Sequence, residues 1–167
     1  MPLGVHIAIS DNQRKELESL ASDEDRIEFV NELMEEWNDD LMCGTDKAWD
    51  AIHRCLTESP PNTENMSAEY GTYPLRLCIM GGKKLTTPNT IHFLYLIEPH
   101  EVDDIAKALV PIDEARMNEK YRIHCRGAWP EYGEDDMEYT WEYFQAMRDF
   151  FVRMAGNGRA VIFNADQ

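Results

Sequence analysis

The sequence predicts an α+β fold: a single compact domain over residues 1–167, with a small mixed or antiparallel sheet packed with several helices. The chain is 167 residues long, which is the size of one ordinary domain. Hydrophobic residues make up 43% of it, a fraction typical of a globular core. Helix and strand patterns alternate at irregular spacing, which favours α+β over a doubly wound parallel sheet.

The first forty residues predict one strand and then a helical hairpin. Residues 3–9 are β-prone. Ser10 and Gln13 have the spacing of a capping box at the start of a first helix. Ser22 is suited to cap a second helix, in which apolar residues recur at steps of three and four between Ile27 and Trp37.

The middle of the chain predicts a third helix, two strands and a fourth helix. Thr45 is suited to cap the third helix, over residues 46–57, and a loop follows at residues 59–65. Residues 75–80 and 91–97 are predicted as the central strands. Pro99 then occupies the first position of the fourth helix, where the missing N–H of proline is tolerated.

The last third predicts two further strands around a long helix. The fourth helix ends at Pro111, and one more helical turn follows through Ala115. Residues 121–125 alternate apolar and polar side chains, as a half-buried strand would. An acidic loop over residues 131–142 leads into an aromatic helix that ends at Met154. A glycine-rich turn then allows residues 160–163 to form the final strand.

The charge of the chain excludes two classes of partner. Its 32 acidic and 16 basic side chains give a formal net charge of −16. This balance argues against direct binding to nucleic acid, whose phosphates require a basic face, and against an anionic membrane surface. Residues 1–40 alone carry a net charge of −9, so most of the excess is predicted to lie on the first two helices.

The cysteines and the N-terminus predict a cytoplasmic protein. The four cysteines (Cys43, Cys55, Cys78 and Cys125) are widely spread and form no C-x-x-C motif. This distribution is typical of reduced, mostly buried thiols rather than of a disulfide framework. The N-terminus has no basic region before its short apolar stretch, and no apolar run is long enough to cross a bilayer.

The stretch that begins Asp46-Lys47-Ala48-Trp49-Asp50 resembles the signature helix of the YfbM-like family, a bacterial and phage family of unknown function. Later segments follow the same order: a stretch ending in Gly81-Gly82, a strand leading into a Pro-x-Glu-Val helix, and an aromatic helix before a glycine turn. The sequence departs from the family in its acidic first forty residues and in the acidic segment after Trp129. The resemblance implies an α+β domain of about this length, and it implies neither an activity nor any catalytic residue.

The third helix contains one candidate site for chemistry. Trp49, Asp50 and His53 are neighbours on it, and an imidazole oriented by an aspartate can act as a general base. The alternative is structural, with Trp49 anchoring the core and His53 satisfied and partly buried. No nucleophile motif accompanies the three residues, so no catalytic residue is assigned.

A second candidate is basic. On the predicted strand, Arg122, His124 and Arg126 share one face and could bind a phosphate or a carboxylate. The alternative is that this face is neutralised internally by acids of the first two helices or of the segment Glu134-Asp135-Asp136. The histidines and acidic clusters lack the spacing of a metal site, and no cofactor is predicted.

These observations leave two functions and one plain explanation. The preferred hypothesis is a non-enzymatic module that captures a basic protein through an acidic surface, represented by Glu28, Glu32, Glu35, Glu134, Asp135 and Asp136. The alternative is a small-molecule or anion-binding protein, or an enzyme, with a pocket near His53 and the Arg122, His124 and Arg126 face. The plain explanation is that the acidic surface only keeps the protein soluble.

Overall fold

Five strands form one antiparallel sheet in the order β2-β1-β5-β4-β3 in the computed structural model, which describes residues 3–60, 70–88, 90–129 and 132–165. The strands are β1 (Gly4–Ile9), β2 (Met42–Asp46), β3 (Lys83–Lys84), β4 (Phe93–Ile97) and β5 (Ala160–Ala165). The α+β prediction is confirmed, and the sheet is antiparallel rather than mixed.

Six helices surround the sheet within the described ranges. They are α1 (Asp11–Ser19), α2 (Asp23–Glu35), α3 (Trp49–Thr57), α4 (Pro99–Leu109), α5 (Glu114–His124) and α6 (Glu134–Met154). The predicted starts of three helices are confirmed. Ser10 and Gln13 form a complete capping box at α1, the Ser22 side chain caps α2, and Pro99 occupies the first turn of α4. No helix in the described ranges is long and apolar enough to span a bilayer.

The sheet separates two hydrophobic cores, because successive side chains of a strand point to opposite faces. On β1, Val5, Ile7 and Ile9 face the smaller core, which α1 and α2 complete with Leu17 and Val30. The larger core lies on the other face, beneath α3, α4, α5 and α6. It contains the buried aromatic side chains Trp49, Tyr95, Tyr121, Phe144, Phe150, Phe151 and Phe163.

The strand predicted over residues 75–80 is wrong. The segment forms a 3₁₀ turn at Leu75–Leu77 and then bends, with Cys78, Ile79 and Met80 all buried. Burial alone does not distinguish this bend from a central strand, since β1 and β5 are also buried at every position. The segment packs against α3 and α4. The predicted loop at residues 59–65 lies largely outside the described residues.

The strand predicted over residues 121–125 is also wrong, because these residues form the end of α5 and its C-cap. Met117, Tyr121 and Cys125 are buried at intervals of four, which is the helical period. Ile123, which the strand alternation would place inside, is 54% exposed. α5 begins at Glu114, where the Asp113 side chain accepts a hydrogen bond from Arg116 N.

The third helix starts later than predicted. It begins at Trp49, and Thr45 belongs to β2, an edge strand that was not predicted. The Thr45 side chain is fully buried, and its hydroxyl donates to Gly4 O at 3.1 Å, so it tethers β2 to β1 instead of capping a helix.

Candidate functional site

A row of glutamates runs along the exposed side of α2. Glu24, Glu28 and Glu32 on the helix and Glu36 at its C-cap succeed one another at intervals of four, and all four are exposed. Residues at this spacing are neighbours on a helix surface, so each glutamate repels the next. We call these four side chains the α2 carboxylate stripe. Glu35 is exposed beside it.

The electrostatics of α2 change from its start to its end. Ser22 fixes the start, where three acids in the first turn are stabilised by the partial positive charge of the helix N-terminus. The last turn contains no basic side chain, so Glu32 and Glu35 lie near the negative end of the helix dipole. The helix dipole therefore disfavours the negative charge at the end of α2.

The acids before the stripe have internal partners. Arg14 lies 2.8 Å from Asp11, Lys83 lies 2.7 Å from Glu18, and Asp23 bonds to the loop beyond β3. Hydrogen bonds from the Thr87 and Thr90 side chains and from Thr87 N, together with nearby Arg26, lower the pKa of Asp23 to about 2.

The stripe itself lacks such partners. Within the parts of the chain that the structure describes, no ion pair involves Glu24, Glu28, Glu32, Glu35 or Glu36. Their charge is therefore available to a partner.

An open depression continues the stripe beyond the end of α2. It is lined by Glu35, Glu36, Trp37, Asn38, Asp39 and Asp40. The Trp37 ring is 48% exposed, and its Nε1 donates to Asp39 Oδ1 at 2.7 Å. The sequence analysis placed Trp37 in the apolar stripe of the second helix, but α2 ends two residues before it. The ring therefore lies at the surface among carboxylates.

The second predicted acidic segment lies on the other side of the sheet. Glu134, Asp135 and Asp136 form the first turn of α6, where the helix dipole stabilises them. Asp136 accepts a hydrogen bond from Tyr121 OH at 2.5 Å, and Glu134 lies 3.9 Å from Arg122 Nη2. Two of these three acids thus have partners within the protein. Their helix packs on the larger core, whereas α2 packs on the smaller one.

Asp50 lies at the centre of a buried polar cluster. It is fully buried, and its hydrogen bonds with described side chains converge on Oδ2. Arg54 Nε donates at 3.0 Å, Trp129 Nε1 donates at 3.1 Å, and Tyr132 OH also donates to this oxygen. Burial and the adjacent Asp50 raise the pKa of the Tyr132 hydroxyl, so the phenol keeps its proton. No partner is found for Oδ1 among the described residues.

His53 is placed differently from what a general base requires. It is 1% exposed, and burial and then the charge of Arg54 lower its pKa to about 4, so it is neutral at pH 7. The hydrogen bonds of Asp50 go to Arg54, Trp129 and Tyr132 rather than to His53. No partner is found for His53 Nε2 among the described residues. Trp49 packs against Phe93 and Phe163 in the larger core.

The predicted basic face is divided by the helical geometry of this region. Arg122 and His124 lie in the last turn of α5, and Arg126 follows the helix. Arg122 approaches Glu134, while His124 Nδ1 lies 3.2 Å from Ser59 O. Arg126 is exposed. The approach of Arg122 to Glu134 is one contact of the kind that the internal-neutralisation alternative requires, and both side chains are largely exposed.

Sequence reasoning missed Trp129 and Tyr132, which lie 79 and 82 residues from Asp50. The only signal for them is that both aromatics belong to a short stretch otherwise rich in glycine and acids. No group of three or more histidine, cysteine, aspartate or glutamate side chains arranged to hold a metal occurs among the described residues.

Comparisons with known proteins agree with the fold. A family model described as a domain of unknown function (DUF1877) matches residues 2–164. A solved structure of YfbM, a protein of unknown function from Escherichia coli, superposes with a TM-score of 0.64 at 15% identity. That alignment covers 98% of this chain and 99% of the other. At this identity the likeness shows the fold alone. No match is found among curated proteins.

Proposed function

The chain belongs to the YfbM-like family described as DUF1877, and we propose that it is a non-enzymatic interaction module that binds a basic protein surface through α2. The contact would consist of the α2 carboxylate stripe, Glu35 and the depression around Trp37. The proposal includes a cytoplasmic location, which the four buried free thiols support.

One observation carries this proposal: beyond Glu24, which the helix N-terminus favours, the charge of the stripe is unfavourable within the protein. Each like-charged pair at i,i+4 destabilises a helix by about 0.2–0.5 kcal/mol, and acids near a helix C-terminus add to the penalty. Solubility alone does not require this arrangement, because the same number of acids would be less repulsive if spread over the surface. A basic partner would relieve the repulsion.

The spacing of the stripe defines the chemistry of the partner. Cβ atoms four residues apart on a helix are about 6 Å from each other, so lysine or arginine side chains with a similar repeat would face the stripe. The exposed Trp37 ring can also receive an arginine, since guanidinium groups stack on indole faces. Charges at an exposed surface accelerate association and are screened by salt, so binding would weaken as ionic strength rises.

A pull-down with matched variants tests the proposal. The baits are the wild-type protein, Glu28→Lys/Glu32→Lys/Glu35→Lys on α2, and Glu134→Lys/Asp135→Lys/Glu138→Lys on α6, each used at 50 mM and 500 mM KCl. The two triple variants change the net charge equally but on opposite sides of the sheet. We expect a basic protein to bind the wild type and the α6 variant at low salt, and to be lost from the α2 variant.

The captured protein is then purified and its affinity measured with the same three proteins. Support requires at least a tenfold weaker affinity for the α2 variant, with little change for the α6 variant. Circular dichroism first verifies that both variants are folded. Absence of any salt-sensitive partner overturns the proposal, and so does an equal loss of binding in both variants, since net charge alone would then explain it.

A second candidate function is favoured by one specific observation. In the described parts of the chain, Asp50 Oδ1 and His53 Nε2 are buried without hydrogen-bond partners, and buried polar atoms are normally satisfied. A small molecule or a protonated anion, bound near His53, Arg122, His124 and Arg126 and donating a hydrogen bond to Asp50 Oδ1, would account for them. Inorganic phosphate is the first probe: this candidate requires a rise in Tm with the wild type that is absent in His53→Gln.

A further inference from the structure

Two cysteines from different helices meet inside the larger core. Cys55 belongs to α3 and Cys125 is the C-cap of α5, and their Sγ atoms lie 3.7 Å apart. Cys55 is 3% exposed and Cys125 is fully buried. Cys125 Sγ also lies 3.5 Å from Ala51 O, one turn before Cys55. The two thiols are 70 residues apart in the chain, so tertiary packing alone brings them together.

We propose that Cys55 and Cys125 form an oxidation site, at which a small oxidant such as hydrogen peroxide converts the two thiols into a disulfide that joins α3 to α5. The sulfurs are already in contact, and a disulfide requires them to approach to about 2.05 Å. That is a movement of roughly 1.7 Å, within reach of small side-chain and helix adjustments.

The other two cysteines provide an internal comparison. Cys43 lies on the edge strand β2, where its Sγ contacts Gly44 O at 3.7 Å. Cys78 is buried in the turns after the 3₁₀ segment. Among the described residues, the sulfur–sulfur contact of Cys55 with Cys125 is the only one recorded for the four thiols. Of the six pairs that four cysteines can form, the sulfur–sulfur distance therefore favours Cys55 with Cys125.

The reaction consumes one peroxide per pair. One thiol loses its proton, and its sulfur attacks a peroxide oxygen, which breaks the O–O bond and leaves a sulfenic acid and one water. The second sulfur then attacks the sulfenic sulfur, and the S–S bond forms as the second water leaves. Two thiols are oxidised by two electrons in total, and the peroxide is reduced to two waters.

Burial makes the first step slow in the closed structure. It raises the pKa of Cys55 well above its usual range, and the nearby Cys125 adds to the effect, whereas the thiolate is the reactive form. Cys125 lies at the C-terminal end of α5, and helix ends open locally more readily than helix interiors, so such an opening would expose the pair. We expect oxidation to proceed through this opening and to accelerate with pH.

The disulfide would close a long segment of chain. It would join the helix that carries Asp50 to the helix that carries Tyr121, and a closed loop of this length stabilises the folded state. Reduction by a dithiol would reverse the change. The modification is independent of α2, and it stands whether or not a basic partner binds there.

The test is intact mass and peptide mapping of the native protein before and after a small molar excess of hydrogen peroxide. We expect a loss of about 2 Da per molecule, since two hydrogens leave on disulfide formation. After unfolding and alkylation, two thiols remain, and the crosslinked peptides contain Cys55 and Cys125. The oxidised protein should unfold at least about 5 °C higher, and dithiothreitol should restore the original Tm.

Matched variants separate this pair from the other thiols. Cys43→Ala and Cys78→Ala should still form the disulfide, and Cys55→Ala should keep all three of its thiols under the same conditions. The peptide map of the wild type decides the question even if a variant does not fold. The proposal is overturned if all four thiols survive, if the crosslink includes Cys43 or Cys78, or if only crosslinks between molecules form.

Discussion

The two faces of the sheet differ in how much apolar surface they bury and in the charge that their helices carry. On one face, α1 and α2 each contribute a single fully buried side chain, Leu17 and Val30, to a small core. On the other, α3 to α6 enclose a large aromatic core that includes Phe144, Phe150 and Phe151. Because burial of apolar surface provides most of the free energy of folding, the second face supplies most of the stability. The first face can then carry a repulsive row of charges without unfolding the protein.

The largest expected change in the free energy of unfolding comes from truncating one tryptophan on each side of the sheet. Trp49→Ala should lower the free energy of unfolding by about 4 to 5 kcal/mol, because it leaves a cavity in the aromatic core. Trp37→Ala, the matched change at the exposed end of α2, should lower it by less than about 0.5 kcal/mol. Urea unfolding followed by circular dichroism gives both values. Equal losses would show that the two faces contribute alike.

The next effect comes from the buried ion pair of the larger face. Asp50→Asn should destabilise the protein by about 3 to 4 kcal/mol, since Arg54 keeps a buried charge after its carboxylate partner is lost. The double variant Asp50→Asn/Arg54→Met should recover part of that loss, because it also removes the buried positive charge. Urea unfolding of the three proteins tests this. A double variant less stable than Asp50→Asn would contradict the electrostatic explanation.

The buried histidines predict how stability depends on pH. His6 and His53 both face the larger core, and burial lowers the pKa of each from 6.5 to about 4. Well above pH 6.5 the two imidazoles are neutral in both the folded and the unfolded protein, so the histidines cause no pH dependence of stability. As the pH falls from 6.5 to 4, the unfolded state takes up protons that the folded state does not, and each histidine removes about 3 kcal/mol of stability.

The measurement is chemical unfolding between pH 7.5 and pH 4 for the wild type, His6→Gln and His53→Gln. Each variant should lose less stability over this range than the wild type, because one of the two titrating groups is absent. Parallel curves for all three proteins would show that other groups control the acid sensitivity.

The smallest effect concerns the α2 carboxylate stripe. Glu32→Gln removes two like-charged contacts, with Glu28 and Glu36, and should stabilise the protein by about 0.5 kcal/mol. The control Glu114→Gln removes an acid from the first turn of α5, where the dipole favours it, and should be slightly destabilising. Thermal unfolding at low salt measures both changes, and 0.5 M NaCl should reduce them. A destabilising Glu32→Gln would show that the stripe is not repulsive.

The elements that the sequence predicted correctly are those with local signals. The capping box at Ser10, the cap at Ser22 and the proline at the start of α4 are each read within four residues, and each is confirmed. The errors occurred where tertiary packing overrides the local pattern. Tyr121 and Cys125 fit a period of two and a period of four equally well, and only the large core beneath α5 decides between them.

The candidate sites show the same limit. Asp50 and Arg54 could be paired from their spacing on a helix, and the structure places them 3.0 Å apart. Of the two aromatic donors that complete the cluster, Tyr132 lies in the stretch 131–142 that the sequence analysis assigned to an acidic loop, and Trp129 lies just before it. β2 was missed because Gly44 and Asp46 belong to residue types that are depleted in strands, and the strand is recognised only from its pairing with β1.

The position of β5 has a consequence for how the protein is made. β5 follows every other element in the chain, yet it lies between β1 and β4 and pairs with both. During synthesis, the β1–β2 pair and the β3–β4 pair therefore leave the ribosome with open edges and no strand to join them. Completion of the sheet must wait for residues 160–165, so truncation before Ala160 should leave two separate strand pairs whose open edges are exposed to aggregation.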